Sequence, residues 1–149
     1  MSSSQSSPTP TSPTISTLML EQSYISSLLS KRVEGGLSVH GVSYSEFIIM
    51  HKLHHSPGGV MSRIALAEAV GLTASGVTRL LAPMDKNNIV EKTANPRDAR
   101  QSLVGLTATG HELYANALVS FEYSCNQAFS LFEEHEITQL MTLLNKIKC

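Results

Sequence analysis

The spacing of apolar residues changes along this chain, and each change marks an element. Val77, Leu80, Leu81 and Met84 recur at i, i+3, i+4 and i+7, which predicts a helix with one buried face. Its other face, Ala74, Ser75, Gly76, Thr78, Arg79 and Ala82, is small or polar and carries one cation. Before it, a shorter helix ends at Gly71, a residue that takes the positive φ of a helix terminus without strain. Ala67 is small where the second helix presses on the first, and Thr73 caps that second helix with its hydroxyl. After it, Asn87-Asn88 ends the helix and Ile89-Val90 opens a strand, while Ser102-Leu103-Val104-Gly105-Leu106 alternates as another. Between the strands, Ala94-Asn95-Pro96-Arg97-Asp98-Ala99-Arg100 is a turn-rich tip with two arginines. Met61 to Leu106 therefore reads as helix, turn, helix, strand, charged loop, strand.

The flanks are helical. One helix is predicted from Ile15 or Ser16 to Val33, with Leu18, Ile25, Leu28 and Leu29 on one side and an end at Gly35-Gly36. Ser43 and Glu46 form a capping box for a helix carrying Phe47, Ile48, Met50, His51, Leu53 and His54, which Ser56-Pro57-Gly58-Gly59 breaks. Thr107 caps a long helix in which Leu113, Ala117, Phe121, Cys125, Ala128 and Phe132 repeat near every fourth residue. Such a helix runs about 25 residues, nearly 40 Å at 1.5 Å per residue. The last helix repeats the stripe with Ile137, Leu140, Met141, Leu144 and Ile147. Apolar stripes at both ends of the chain, away from a helix-turn-helix whose small, polar second helix is shaped to enter a major groove, predict an isologous dimer interface built on Leu18, Ile25, Leu29, Phe121, Phe132, Leu140 and Leu144. The competing arrangement is a self-contained bundle in a monomer. Two-fold symmetry favours the dimer, because two recognition helices must lie about 34 Å apart to enter successive major grooves.

Composition narrows the picture. A chain of 149 residues with 42% hydrophobic content can bury one core. The formal net charge of −1 excludes coating of nucleic acid by bulk electrostatics, so DNA affinity must come from a local patch. From Ser62 to Ser102 six positive residues face four negative ones, a net of +2; from Thr107 onward two face five, a net of −3. The expected organisation is a disordered Ser/Thr/Pro-rich tail over 1–14 and a single domain over 15–149. Within that domain, 37–106 is the winged region and 15–34 and 107–149 are dimerisation helices. Nothing resembles a signal peptide or a membrane span, so a cytoplasmic location is expected. Cys125 and Cys149 are too few and too far apart for a disulfide framework or a metal knuckle.

Enzyme chemistry finds no motif: no nucleophile elbow, no phosphate-cradling glycine loop, no His-Glu-x-x-His. No cofactor, no metal and no catalytic residue is expected. His51, His54 and His55 share one helix, with His111 and His135 as further candidates, but no Asp, Glu or Cys cluster of defined spacing joins them. They leave a metal-responsive regulator as an alternative. A second alternative is a winged helix that binds protein, disfavoured because the outer face from Ala74 to Arg79 has no aromatic anchor.

The run Thr78-Arg79-Leu80-Leu81-Ala82-Pro83-Met84-Asp85-Lys86, then Val90-Glu91-Lys92, the wing Asn95-Pro96-Arg97-Asp98-Ala99-Arg100 and the closing Leu106-Thr107 resemble the multiple antibiotic resistance regulator (MarR) family. The Asp-x-Arg wing followed by Leu-Thr is the most specific part, and the likeness extends more weakly over Ile15 to Lys148. The resemblance implies a mainly α fold with a small two- to three-stranded β wing: a winged helix-turn-helix plus N- and C-terminal dimerisation helices. It implies a homodimeric repressor of a palindromic operator on double-stranded DNA, released by a small, often aromatic or anionic, effector. It also lets a helix run through Pro83, which would otherwise disfavour one, with a kink expected there.

On this reading Ser75, Gly76, Thr78 and Arg79 approach base edges and phosphates in the major groove, with Thr73 and Lys86 at the two ends of the same helix. Arg97 reaches the minor groove, Arg100 shares a phosphate, and Asp98 pairs with Arg100 to stiffen the wing. Tyr24, Tyr44, Phe47, Met50, His51 and Tyr114 lie on segments that can line the effector cleft the resemblance implies.

Overall fold

The computed structural model describes residues 14–148. The tail expectation over 1–14 and the position of Cys149 fall outside them, apart from Thr14, whose hydroxyl accepts the Thr17 N–H at 3.2 Å and caps the first helix. The order is α1 (Ile15–Leu37), α2 (Tyr44–His55), β1 (Val60–Ser62), α3 (Arg63–Val70), α4 (Ala74–Lys86), β2 (Val90–Ala94), β3 (Ser102–Leu106), α5 (Ala108–Ala128) and α6 (Glu134–Asn145). The three strands form one antiparallel sheet in the order β1-β3-β2. No single helix among the described residues is long and apolar enough to cross a membrane.

Local chemistry sets the helix starts. Ser43 and Glu46 form both bonds of the capping box at 3.1 Å, while Ser62, Thr73 and Thr107 each cap a helix through a side-chain oxygen. Phe47, Ile49, Met50 and Leu53 of α2 meet Leu66 and Ala67 of α3, Val77, Leu81 and Met84 of α4, and Val104 and Leu106 of β3 in one core. Burying side chains of this size stabilises by about 1.5–3 kcal/mol each before chain entropy is counted.

The ends of α1 and α5 depart from the sequence reading, while the third strand and the course of α4 fall within it. α1 does not stop at Gly35-Gly36 but runs on to Leu37. A glycine costs about 1 kcal/mol in a helix interior, and burying Leu37 and Val33 offsets it. Gly36 also lies against α5, where a Cβ would collide with Ser124 Oγ and press on the Ser120 carbonyl, so glycine sits at a helix crossing. β1 supplies the third strand of the expected two- to three-stranded wing; it is three residues long, too short to show alternation, and pairs Val60↔Gly105 through Ser62↔Leu103. α5 has 21 residues, about 32 Å. It ends at Phe129, which leaves Phe132 in the following turn; there the Glu133 N–H donates to the Glu136 carboxylate at 2.9 Å and starts α6. α4 runs through Pro83, as the resemblance implies.

The helices assigned to dimerisation do not form a closed bundle in one chain. α1 lies along α5, but Leu18 is 63% exposed and Ile25 49%, with Leu29 half-buried. Every residue of α6 is exposed except the half-buried Leu140; Leu144 and Phe132 stand out too. Phe121 differs from these. It packs inside its own chain, 4.5 Å from the Phe47 ring and 6.0 Å from that of Tyr44, so its aromatic surface is already used by the core.

Candidate nucleic-acid interface

α3 and α4 cross at 105°, within the range that lets one helix of a helix-turn-helix project while the other braces it. Gly71 makes the corner, with φ +71. The Leu72 N–H reaches the Ala67 carbonyl at 3.0 Å across that residue, which closes the helix end. Thr73 then opens α4, its hydroxyl accepting the Gly76 N–H at 3.1 Å and lying 3.2 Å from the Ser75 hydroxyl. Val77, Leu81 and Met84 are buried and Leu80 is half-buried, so the opposite face is presented outward. On it, Ser75, Thr78, Arg79 and Lys86 are exposed and Gly76 is half-exposed.

The wing is a two-stranded ribbon in register from Val90↔Leu106 to Ala94↔Ser102. Its tip is two consecutive side-chain turns: Asn95 Oδ1 accepts the Arg97 N–H and Asp98 Oδ1 accepts the Arg100 N–H, each at 3.0 Å. The Asp98–Arg100 pairing expected from sequence takes a different form. Asp98 stiffens the wing through the Arg100 backbone, and among the described residues neither the Arg97 nor the Arg100 guanidinium enters an ion pair. Both stay exposed at the tip.

Arg63 carries no motif that singles it out in the sequence. From the first turn of α3 its guanidinium donates to Thr78 Oγ1 at 3.0 Å, and its Nε is buried without a partner. It lies beside a pocket of about 240 Å³ between α4 and the sheet, lined also by Asp85 and Lys92. A cation at the start of the supporting helix is the available signal; its reach to Thr78 depends on the helix crossing.

The residues proposed for an effector cleft separate. Tyr44, Phe47 and His51 line one pocket of about 190 Å³ with Ile48 and Phe121. Met50 is fully buried in the core, Tyr24 stands exposed on α1, and Tyr114 is buried with its hydroxyl turned to histidines. His51 Nδ1 lies 2.7 Å and His55 Nε2 3.4 Å from that hydroxyl, and His54 Nδ1 meets His111 Nδ1 at 3.0 Å. His135 is elsewhere, paired with Glu133. No three His, Cys, Asp or Glu among the described residues converge on a metal position. Burial and the Glu122 carboxylate push the Cys125 thiol up, away from the thiolate that redox chemistry needs.

The MarR family profile matches residues 40–101, which run from the approach to α2 to the wing. The HTH-type transcriptional regulator YhbI of Bacillus subtilis (strain 168), itself uncharacterised, is 25% identical over 113 residues, 76% of this chain and 70% of that protein. The transcriptional regulator HosA of Escherichia coli O111:H- is 30% identical over 73 residues, 49% of this chain and about half, 53%, of HosA. Among solved structures, Sco3205, a MarR family transcriptional regulator from Streptomyces coelicolor in complex with DNA, superposes with a TM-score of 0.81 at 22% identity, covering 95% of this chain and 91% of that one.

Proposed function

We propose that this chain is a winged-helix regulator of the MarR type that binds operator DNA as a homodimer and represses transcription until a small effector releases it, a reading supported by the profile match over 40–101 and the shared fold. The observation that carries this is the outer face of α4: small, polar, exposed, bearing Arg79 and anchored from behind by Val77, Leu81 and Met84. A helix of that profile enters a major groove without clash and offers Ser75, Thr78 and Arg79 to base edges and phosphates. Thr73, Gly76 and Lys86 come to the backbone at its two ends. Arg97 and Arg100 reach the minor groove and its flanking phosphates, with Asp98 holding the turn between them. The operator is palindromic because the protein is two-fold symmetric.

A second copy of the chain covers the stripes that one chain leaves bare: Leu18, Ile25 and Leu29 of α1, and Leu140 and Leu144 of α6 with Phe132 before it. Release follows from an aromatic or anionic ligand seated at Tyr44, Phe47 and His51, between the dimer helices and the reading head. Such a ligand lowers operator affinity only by its preference for the misaligned state. The protein works in the cytoplasm, where operator DNA is.

Fluorescence anisotropy against the gene's own upstream DNA and a scrambled duplex, over a series of salt concentrations, tests the reading. Sequence-dependent, salt-sensitive binding at two chains per site is expected; weak and equal binding to both duplexes would sink it. In the same assay Arg97→Ala weakens binding to both duplexes and reduces the salt slope by about 0.9 for each phosphate left unneutralised. An unchanged affinity and slope would remove the wing from the mechanism.

A further inference from the structure

We propose that His54 and His111 form a chelating site for one divalent transition-metal ion per chain, clamping the end of α2 to the start of α5. The two imidazoles come from different elements, and their Nδ1 atoms face each other at 3.0 Å. Two nitrogens at that separation, each about 2.0–2.1 Å from an ion, subtend about 94°, close to the cis angle of an octahedral or square-planar site. An opening of about 0.3 Å brings the pair to the tetrahedral angle that zinc prefers.

The surroundings hold this pair ready. His54 stacks on the buried Tyr114 ring, centroids 4.6 Å apart, so its plane is fixed by a core residue. His51 and His55, the one-turn pair that looks ligand-like in sequence, are turned to the Tyr114 hydroxyl and wall the site on the other side. Without metal, His54 and His111 share one proton in an N–H···N bond. With metal, both rings carry their proton on Nε2 and direct both Nδ1 lone pairs at the ion, so near neutral pH no proton is released. His54 is exposed, and water completes the coordination sphere.

The test is isothermal titration of Ni²⁺, and separately Zn²⁺, into the tag-free 149-residue chain with Cys149→Ser removing that thiol. One ion per chain is expected. Affinity falls at least about tenfold in His54→Ala and in His111→Ala, is unchanged in His135→Ala, and weakens at pH 5.5 as protons compete for the same lone pairs. Thermal melts of the metal-free variants establish that each is folded. In the unsubstituted chain, substoichiometric Ni²⁺ broadens the His54 and His111 imidazole proton signals before those of His40 and His135. Failure to bind an ion, or affinity in the His54 and His111 variants equal to that of the parent chain, overturns the site; so does broadening that begins elsewhere.

Discussion

Arg79→Ala lowers operator affinity by about 1–3 kcal/mol per half-site, roughly 5- to 150-fold, and by twice that free energy in a symmetric dimer. The size follows from where the residue sits. Arg79 is exposed on the outer face of α4, and Val77, Leu80 and Leu81 anchor the same turns in the core, so the helix cannot shift to compensate. Competition anisotropy against single-base operator variants distinguishes its target. If Arg79 reads a base, the loss disappears for operators already altered at that position and the salt slope is unchanged. If it holds a phosphate, the loss is uniform across sequences and the slope falls by about 0.9 for each arginine removed. An Arg79→Ala dimer that binds operator as tightly as the unsubstituted protein would mean that α4 is not the recognition helix.

Gly110→Ala destabilises the fold by about 3 kcal/mol or more, which lowers the melting midpoint by around 10 °C for a chain of this size. A Cβ at position 110 would run into the Ile89 carbonyl oxygen and stand 3.2 Å from Leu106 Cδ2. The Ile89 carbonyl cannot retreat, because it accepts the Thr107 N–H at 3.0 Å. Gly35→Ala is the matched control. Nothing lies within 4 Å of its Cβ position in a helix interior, so the same substitution raises stability by up to about 1 kcal/mol. Calorimetry at one fixed protein concentration compares the two, so that any self-association acts equally on both midpoints. A Gly110→Ala midpoint within about two or three degrees of the unsubstituted protein would show that α5 is not seated tightly on the wing root.

Where a side chain acts on its own backbone, the sequence is readable. The caps at Ser43, Thr73 and Thr107, the positive φ at Gly71 and the buried face of α4 all follow from hydrogen bonds and periods within a few residues. Where an element depends on a distant partner, the sequence is silent or misleading. Gly35-Gly36 looks like a stop until Ser120 and Ser124 of α5 are placed against it. The four-residue spacing that includes Phe132 outlasts the helix that carries it. Three-residue β1 has no pattern of its own, only a partner some forty residues on. The candidate interface divides the same way: the outward set on α4 is legible, whereas the link from Arg63 to Thr78 and the backbone role of Asp98 require the fold. Phe121 reads as dimer surface in the sequence because a stripe on a helix does not say which neighbour will cover it.

Thr107 joins three parts at one residue. Its hydroxyl donates to the Asn88 carbonyl at 2.6 Å and accepts the Gly110 N–H at 2.9 Å, and its N–H reaches Ile89. The end of α4, the root of the wing and the start of α5 thus meet at one hydrogen-bonded joint, and a rotation of α5 would be passed to helix and wing with that threonine as the fulcrum. A twist of α5 by about 10° sweeps a point about 20 Å away through about 3.5 Å, enough to take a recognition helix out of step with a groove repeating every 34 Å or so. Helix and wing swing together, like the bit of a key turned by its shank. On the operator-binding reading proposed above, the gearing would run both ways: DNA gripping the bit would hold the shank at one angle.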